Sequence, residues 1–411
     1  MASEAQSVSQ SASPIWLDRN TPPHIVTLVL VTGVAALNMN ILLPALPSLA
    51  QHYSAPYSIV ALSISGYLGL TAVLQLIIGP LSDRFGRRPV ILWSMVIFLA
   101  ATIGCAIAPT IETFLAMRLT QATVASGLVL SRAIVRDMVP PDEAASKIGY
   151  VTMGMALMPM LGPMIGGFVV EVMGWQSVLV VTFIFGAAVL ALAVLDLGET
   201  NMARSASFGA QFRAYPELLR SKRFWGYAIT AATASGAFFA FLGGGPWVAT
   251  HVLGLSPAQL GFYFGFIALG YMMGNFLSGR ITQRVGLNRM MLAGALVATI
   301  GMLIALVLYG VGIVHPVSVF GCILSIGVGN GMLLPSANAG IVSVRPHLAG
   351  SASGLGGALM IGGGATLSVI SGAMLGPGTG AWPLLILMFV CSFLGIPSSL
   401  YVMRIARLRA L

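Results

Sequence analysis

Residues 79–92 read GPLSDRFGRRPVIL, and residues 279–292 read GRITQRVGLNRMML. Each is a short basic island that opens on glycine, carries a second glycine seven positions later and returns at once to apolar sequence. Gly79 and Gly86 permit tight backbone turns between two helices. Asp83 is placed to accept from a helix N-terminus or to pair with Arg87, and Asp137 is a third candidate for that cluster. The recurrence of the pattern 200 residues later divides the chain into two halves with a weak internal symmetry, as in a carrier built from two repeats with its site near the midplane between them.

Outward from the islands, the chain is too apolar for water. Of its 411 residues 57% are hydrophobic and 8% charged, with a mean hydropathy of +0.93, where a soluble domain carries about 25% charge. Apolar runs of roughly 20 residues, each able to cross ~30 Å of hydrocarbon, fall at 25–46, 59–79, 90–108, 112–136, 147–170, 176–195, 224–249, 259–278, 290–312, 317–340, 350–374 and 382–403. The expectation is an all-α polytopic membrane protein. Residues 1–24 form a Ser/Gln-rich tail without a cleavage pattern, so the first span is expected to start insertion itself. Spans one to six (25–195) and seven to twelve (224–403) flank a polar linker at 196–223, expected to hold a short surface helix, and 404–411 form a second tail.

The charges set an orientation. Eighteen of the 20 Lys and Arg residues lie before the first span, near the loops after even-numbered spans, or in the last tail. The alternate loops carry His52, His251 and His315 but no Lys or Arg. The positive-inside rule therefore puts both termini in the cytoplasm. The formal charge of +9 is a topology signal, not a nucleic-acid footprint. Three scattered cysteines and the absence of a His/Cys/carboxylate cluster, phosphate loop or nucleophile elbow argue against a disulfide framework, a metal site, a cofactor and an enzyme.

On these residues the chain resembles the major facilitator superfamily. GPLSDRFGRRP is similar to its loop motif, and RLTQA (118–122) to its fourth-span motif, with Ala122 where glycine is usual. GMALMPMLGPMIGG (154–167) resembles the fifth-span motif of drug/proton antiporters. LNMNILLPALP (37–47), SRAIVRDM (131–138) and LPSANAGIVSVRPHLAGSASGL (334–355) narrow the resemblance to the bicyclomycin/chloramphenicol-resistance branch. It implies a twelve-helix fold in two six-helix halves. It also implies that Gly79, Asp83, Arg84, Gly86, Arg87, Arg88 and Asp137 latch the halves at the cytoplasmic side in the outward-facing state. The plainer reading of that loop is a solvated topology signal. Gly154, Pro159, Gly162, Pro163, Gly166 and Gly167 would form a kinked, close-packed seam that seals the halves; ordinary small-residue packing is the plainer alternative.

The two remaining arginines, Arg118 and Arg132, lie inside the fourth span, where a charge is costly and usually faces a wet interior. They are about 320° apart round a regular helix, with Gln121 on the same stripe, so this face is expected to line the path. Snorkelling toward the cytoplasm is the alternative for Arg132. Of the two amides in the first span, the resemblance selects Asn40: the branch commonly has aspartate there, and some members carry an acid near Thr32. None of the 11 acidic residues lies near the midplane, and none follows residue 217. The residues thus imply a cavity lined by Arg118, Asn40, Gln121, Arg132 and Thr32 that suits neutral or anionic solutes better than cations. The expected function is secondary active export of small hydrophobic or amphipathic, drug-like compounds by alternating access, from a bacterial inner membrane, by a monomer in contact with lipid. Proton antiport stays open, with Glu112, Asp137 and Glu171 as candidates for coupling. A dedicated carrier for one anionic metabolite, with Arg118 and Arg132 as its clamps, is the second reading.

Overall fold

The computed structural model describes residues 15–139, 151, 158, 161–201, 215–345 and 348–407. Among the described residues there is helix and turn but no strand. The helices are α1 (Ile25–His52), α2 (Tyr57–Phe85), α3 (Arg87–Ala106), α4 (Ile111–Met138), α5 (Leu161–Met173), α6 (Gln176–Asp196), α7 (Lys222–Val252), α8 (Pro257–Val285), α9 (Leu287–Gly310), α10 (Pro316–Ser343), α11 (Ala349–Ala373) and α12 (Trp382–Arg407). All but α5 are long and apolar enough to cross a bilayer. The part of the fifth span before Leu161 is described only at Val151 and Met158, so Gly154 and Pro159 lie outside the described residues. Side chains such as Trp93, Ile107, Phe168 and Phe262 are more than half exposed, as expected where hydrocarbon is the solvent.

The repeated islands fold alike. Gly86 (φ +100°) and Gly286 (φ +85°) each make a one-residue turn that L side chains resist. Gly86 N–H donates to Ser82 O at 2.9 Å, and Gly286 N–H to Thr282 O at 2.8 Å. Helix breaks have local causes as well. A 3₁₀ turn over Leu43–Ala45 interrupts α1 at Pro44, and a 3₁₀ stretch over Gln121–Ala125 interrupts α4. In the linker a short helix spans 215–219; Leu218 is fully buried against Phe224 and Tyr227, and Glu217 pairs with Arg345 at 2.6 Å.

The buried core is arranged asymmetrically along the membrane normal. At the end away from the basic loops one cluster spans both halves, joining Leu42, Leu43 and Leu46 to Phe241, Phe264 and Ile267. At the basic-loop end the halves keep separate cores: Leu28, Ile91, Leu128 and Ile134 in one, Phe224, Met291, Leu333 and Ile341 in the other. The halves meet along α2 and α11, from Ala61 beside Gly372 to Gln75 beside Gly357. They meet again where α5 crosses α8. The Tyr57 hydroxyl on α2 donates to Gly243 O of α7 at 3.1 Å.

Candidate functional site

Arg118 is 1% exposed. Its Nε donates to Ser63 O (3.1 Å), Nη1 to Asn38 Oδ1 (2.8 Å) and Gln121 Oε1 (2.7 Å), and Nη2 to Asn38 O (2.6 Å). The guanidinium also lies 4.4 Å from the centre of the Tyr67 ring. Gln121 passes the network on, donating to Thr102 Oγ1 at 2.7 Å. One buried polar network therefore joins α1, α2, α3 and α4. A guanidinium has five N–H donors, and four are taken by the protein itself. In this conformation Arg118 and Gln121 (0% exposed) are interior groups that organise the N-terminal half, not an exposed polar stripe along the path.

The amide that meets Arg118 is Asn38; Asn40, selected on the sequence pattern, makes none of these bonds. Asn40 is 3% exposed, and its Oδ1 has no partner in the protein. Thr32 is also buried and donates to Leu28 O and Gly127 O, which ties α1 to α4. Arg132 is half-buried, and its Nε returns to Leu128 O of its own helix at 3.0 Å. The wheel that put Arg132 in phase with Arg118 assumed a regular helix. Five 3₁₀ residues between them, at three per turn, shift the phase by about 100°.

At the basic-loop end, Arg87 pairs with Asp83 (2.6 Å) and Asp137 (3.1 Å) and donates to Ser82 Oγ. Two further residues join that reasoning from the sequence missed. Glu199, at the start of the linker, accepts from the backbone N–H groups of Arg87 and Arg88, so it caps α3. Asn201 donates to Ser82 O and Asp83 O. Arg88 in turn donates to Leu197 O and Val194 O at the end of α6. Among the described residues, the hydrogen bonds and ion pairs of Asp83, Arg87, Arg88 and Asp137 stay within residues 82–201; Gly79 contributes only its carbonyl to Ser82. In this conformation these bonds fasten the N-terminal half together. Asp196 is fully buried and accepts from Leu17 N–H, His24 N–H and Thr27 Oγ1, which straps the start of α1 to the end of α6. Only the position of Asp196 and Glu199, just past the end of a span, hints at these caps in the sequence.

The described part of the fifth-span motif faces two ways. A Cβ on Gly166 would collide with Ile41 O, and one on Gly162 would press on Leu37 and Ile41, so both glycines pack on α1. A Cβ on Gly167 would collide with Pro257 O, and one on Gly261 with Pro163 O. That second contact joins the two halves backbone to backbone. Among the described residues no group of three or more His, Cys, Asp or Glu could hold a metal ion.

The fold and these motifs coincide with known proteins. The chain belongs to the major facilitator superfamily, whose profile matches residues 28–369, and within it to the drug/proton antiporter branch that includes bicyclomycin- and chloramphenicol-resistance proteins. It is 33% identical over 392 residues to the uncharacterized MFS-type transporter YdgK of Bacillus subtilis strain 168, covering 92% of this chain and 96% of that one. It is 30% identical over 305 residues to a chloramphenicol resistance protein of Pseudomonas aeruginosa, covering 70% and 72%. A crystal structure of a D-xylose–proton symporter shares the fold, with a TM-score of 0.72, 15% identity and coverage of 92% and 96%. The protein is therefore a multi-pass membrane carrier of small molecules, not a member of an enzyme family.

Proposed function

We propose that this carrier exports small hydrophobic or amphipathic compounds, neutral or anionic rather than cationic, by alternating access as a monomer in a bacterial inner membrane with both termini cytoplasmic. In this reading residues 25–195 and 224–403 are the moving halves, 196–223 the linker, and 1–24 and 404–411 the tails. The observation that carries it is the buried Arg118 in a chain whose 11 carboxylates all lie toward the ends of the spans or outside them. With no acid to balance it, the guanidinium leaves the midplane positive, and that field disfavours a lipophilic cation. The relatives named for antibiotic resistance support export of a drug-like cargo. Asn40, with an unpartnered Oδ1, is the residue we assign to the cargo. Arg118 stands behind the cavity wall. In this reading the Asp83–Arg87–Asp137 cluster, already formed within one half here, gains contacts to the other half when the basic-loop end closes.

The test uses inverted membrane vesicles with a respiration-driven pH gradient and a pH-sensitive dye. The expected result is protein-dependent accumulation of a neutral compound such as chloramphenicol, with a lipophilic cation such as ethidium left outside. Ethidium uptake at the same rate would overturn the charge selectivity. Collapse of the gradient by the transported compound would establish proton antiport. Accumulation without collapse would exclude it. The absence of a midplane carboxylate favours a second reading, a dedicated carrier for one anionic metabolite. Its clamp would have to break bonds that Arg118 already makes, so we rank it second.

A further inference from the structure

The outer end of α5 carries an acid that the small-residue motif does not account for. Glu171 Oε2 accepts from Ser256 Oγ at 2.6 Å and from Ala258 N–H at 2.9 Å, and both donors belong to the other half. They form the start of α8, where the local chemistry leaves one place for this carboxylate. Pro257 at the first helical position has no N–H. Ser256 Oγ accepts from Gln259 N–H, while Gln259 Oε1 accepts from Ser256 N–H in a capping box. Leu260 N–H donates to Ser256 O. The Ala258 N–H and the Ser256 hydroxyl proton remain, and Glu171 takes both. Its negative charge also lies at the positive end of a 29-residue helix.

A second observation on the same crossing is independent of any side chain. Gly167, one turn before Glu171, and Gly261, one turn after Pro257, are the positions where the α5 and α8 backbones touch. Alternating access requires this crossing to part when the outer end opens, and Glu171 then loses both donors. Apolar contacts between helices give little preference over lipid, so a charge-assisted bond across the seam weights one state against the other.

We propose that Glu171 is a gating residue whose carboxylate holds the outer end shut by capping α8 and releases it when that end opens. Because Glu171 is exposed, water replaces the lost bonds and the bias is small enough to be reversed in each cycle, roughly two- to five-fold in population.

The test measures distances between spin labels on the outer ends of α5 and α8, at positions 173 and 262, by pulsed electron paramagnetic resonance on the full-length protein in lipid nanodiscs. No substrate is needed, so the outcome is separate from that of the export assay. Glu171→Ala is expected to raise the outer-open fraction about two- to five-fold, and Glu171→Gln, which keeps an acceptor but loses the charge, by less. Glu112→Ala, which removes the other acid on this face, is expected to leave the distribution unchanged. An unchanged distribution in a Glu171→Ala protein that still melts like the parent would overturn the proposal. So would an equal shift from Glu112→Ala, which would mark a general surface-charge effect.

Discussion

Arg118 and the two asparagines of α1 separate architecture from chemistry at single positions. Removing the Asn38 side chain deprives a buried guanidinium of a charged hydrogen bond, a loss on the order of 1–3 kcal/mol. Removing the Asn40 side chain deletes an oxygen that bonds to nothing in the protein. Asn38→Ala is therefore expected to lower the melting temperature of the detergent-purified protein by several degrees. Asn40→Ala should leave melting nearly unchanged and alter the transport rate instead; a large loss of stability would show Asn40 to be a packing residue. Arg118→Lys should melt like Arg118→Ala. An ammonium is a point donor on a flexible stem and cannot reach Ser63 O, Asn38 and Gln121 together as a planar fork does.

At the scale of elements, the two one-residue turns form a natural control pair. Gly286 has open space where a Cβ would go, so Gly286→Ala meets only the cost of a positive-φ, extended backbone (φ 85°, ψ 154°) that L residues resist, roughly 1–3 kcal/mol. Gly86→Ala meets that cost and also drives a Cβ into the Glu199 carboxylate, displacing the cap of α3. Gly86→Ala is expected to destabilise more, and the excess should vanish in a Glu199→Ala background. Thermal melts of the four variants check this, and a persisting excess would mean that Glu199 is not the obstacle. These turns were legible in the sequence because hydropathy and glycine spacing are local properties. Which asparagine meets Arg118 was not, because the pairing joins two helices 80 positions apart and neither helix's own periodicity reports it. The caps by Asp196 and Glu199 were hidden for another reason. They join residues 111 to 179 positions apart, and no periodicity reports such pairings.

For the whole molecule, the decisive property is which side of the membrane the split core faces. One core binds the halves at the end away from the basic loops, and toward the basic-loop end each half keeps its own core while the α2–α11 contact still joins them as far as Gln75 and Gly357. If basic loops stay inside, the cores part on the cytoplasmic side, which is where an exporter must first meet its cargo. Up to residue 217 the chain carries 10 Lys and Arg against 11 acids; beyond it there are 10 Lys and Arg and no acid. Lys and Arg set the orientation and acids hardly change it, so both halves carry the signal, and the C-terminal half is the one probed. In a background with Cys105, Cys322 and Cys391 replaced by serine, a single cysteine is introduced in the α9–α10 turn at Gly312 or beside the α8–α9 turn at Leu287, and intact cells are treated with an impermeant thiol reagent. The α9–α10 site is expected to label in intact cells and the α8–α9 site only after the membrane is opened. The reverse pattern would place the basic loops outside and turn the split core toward the exterior.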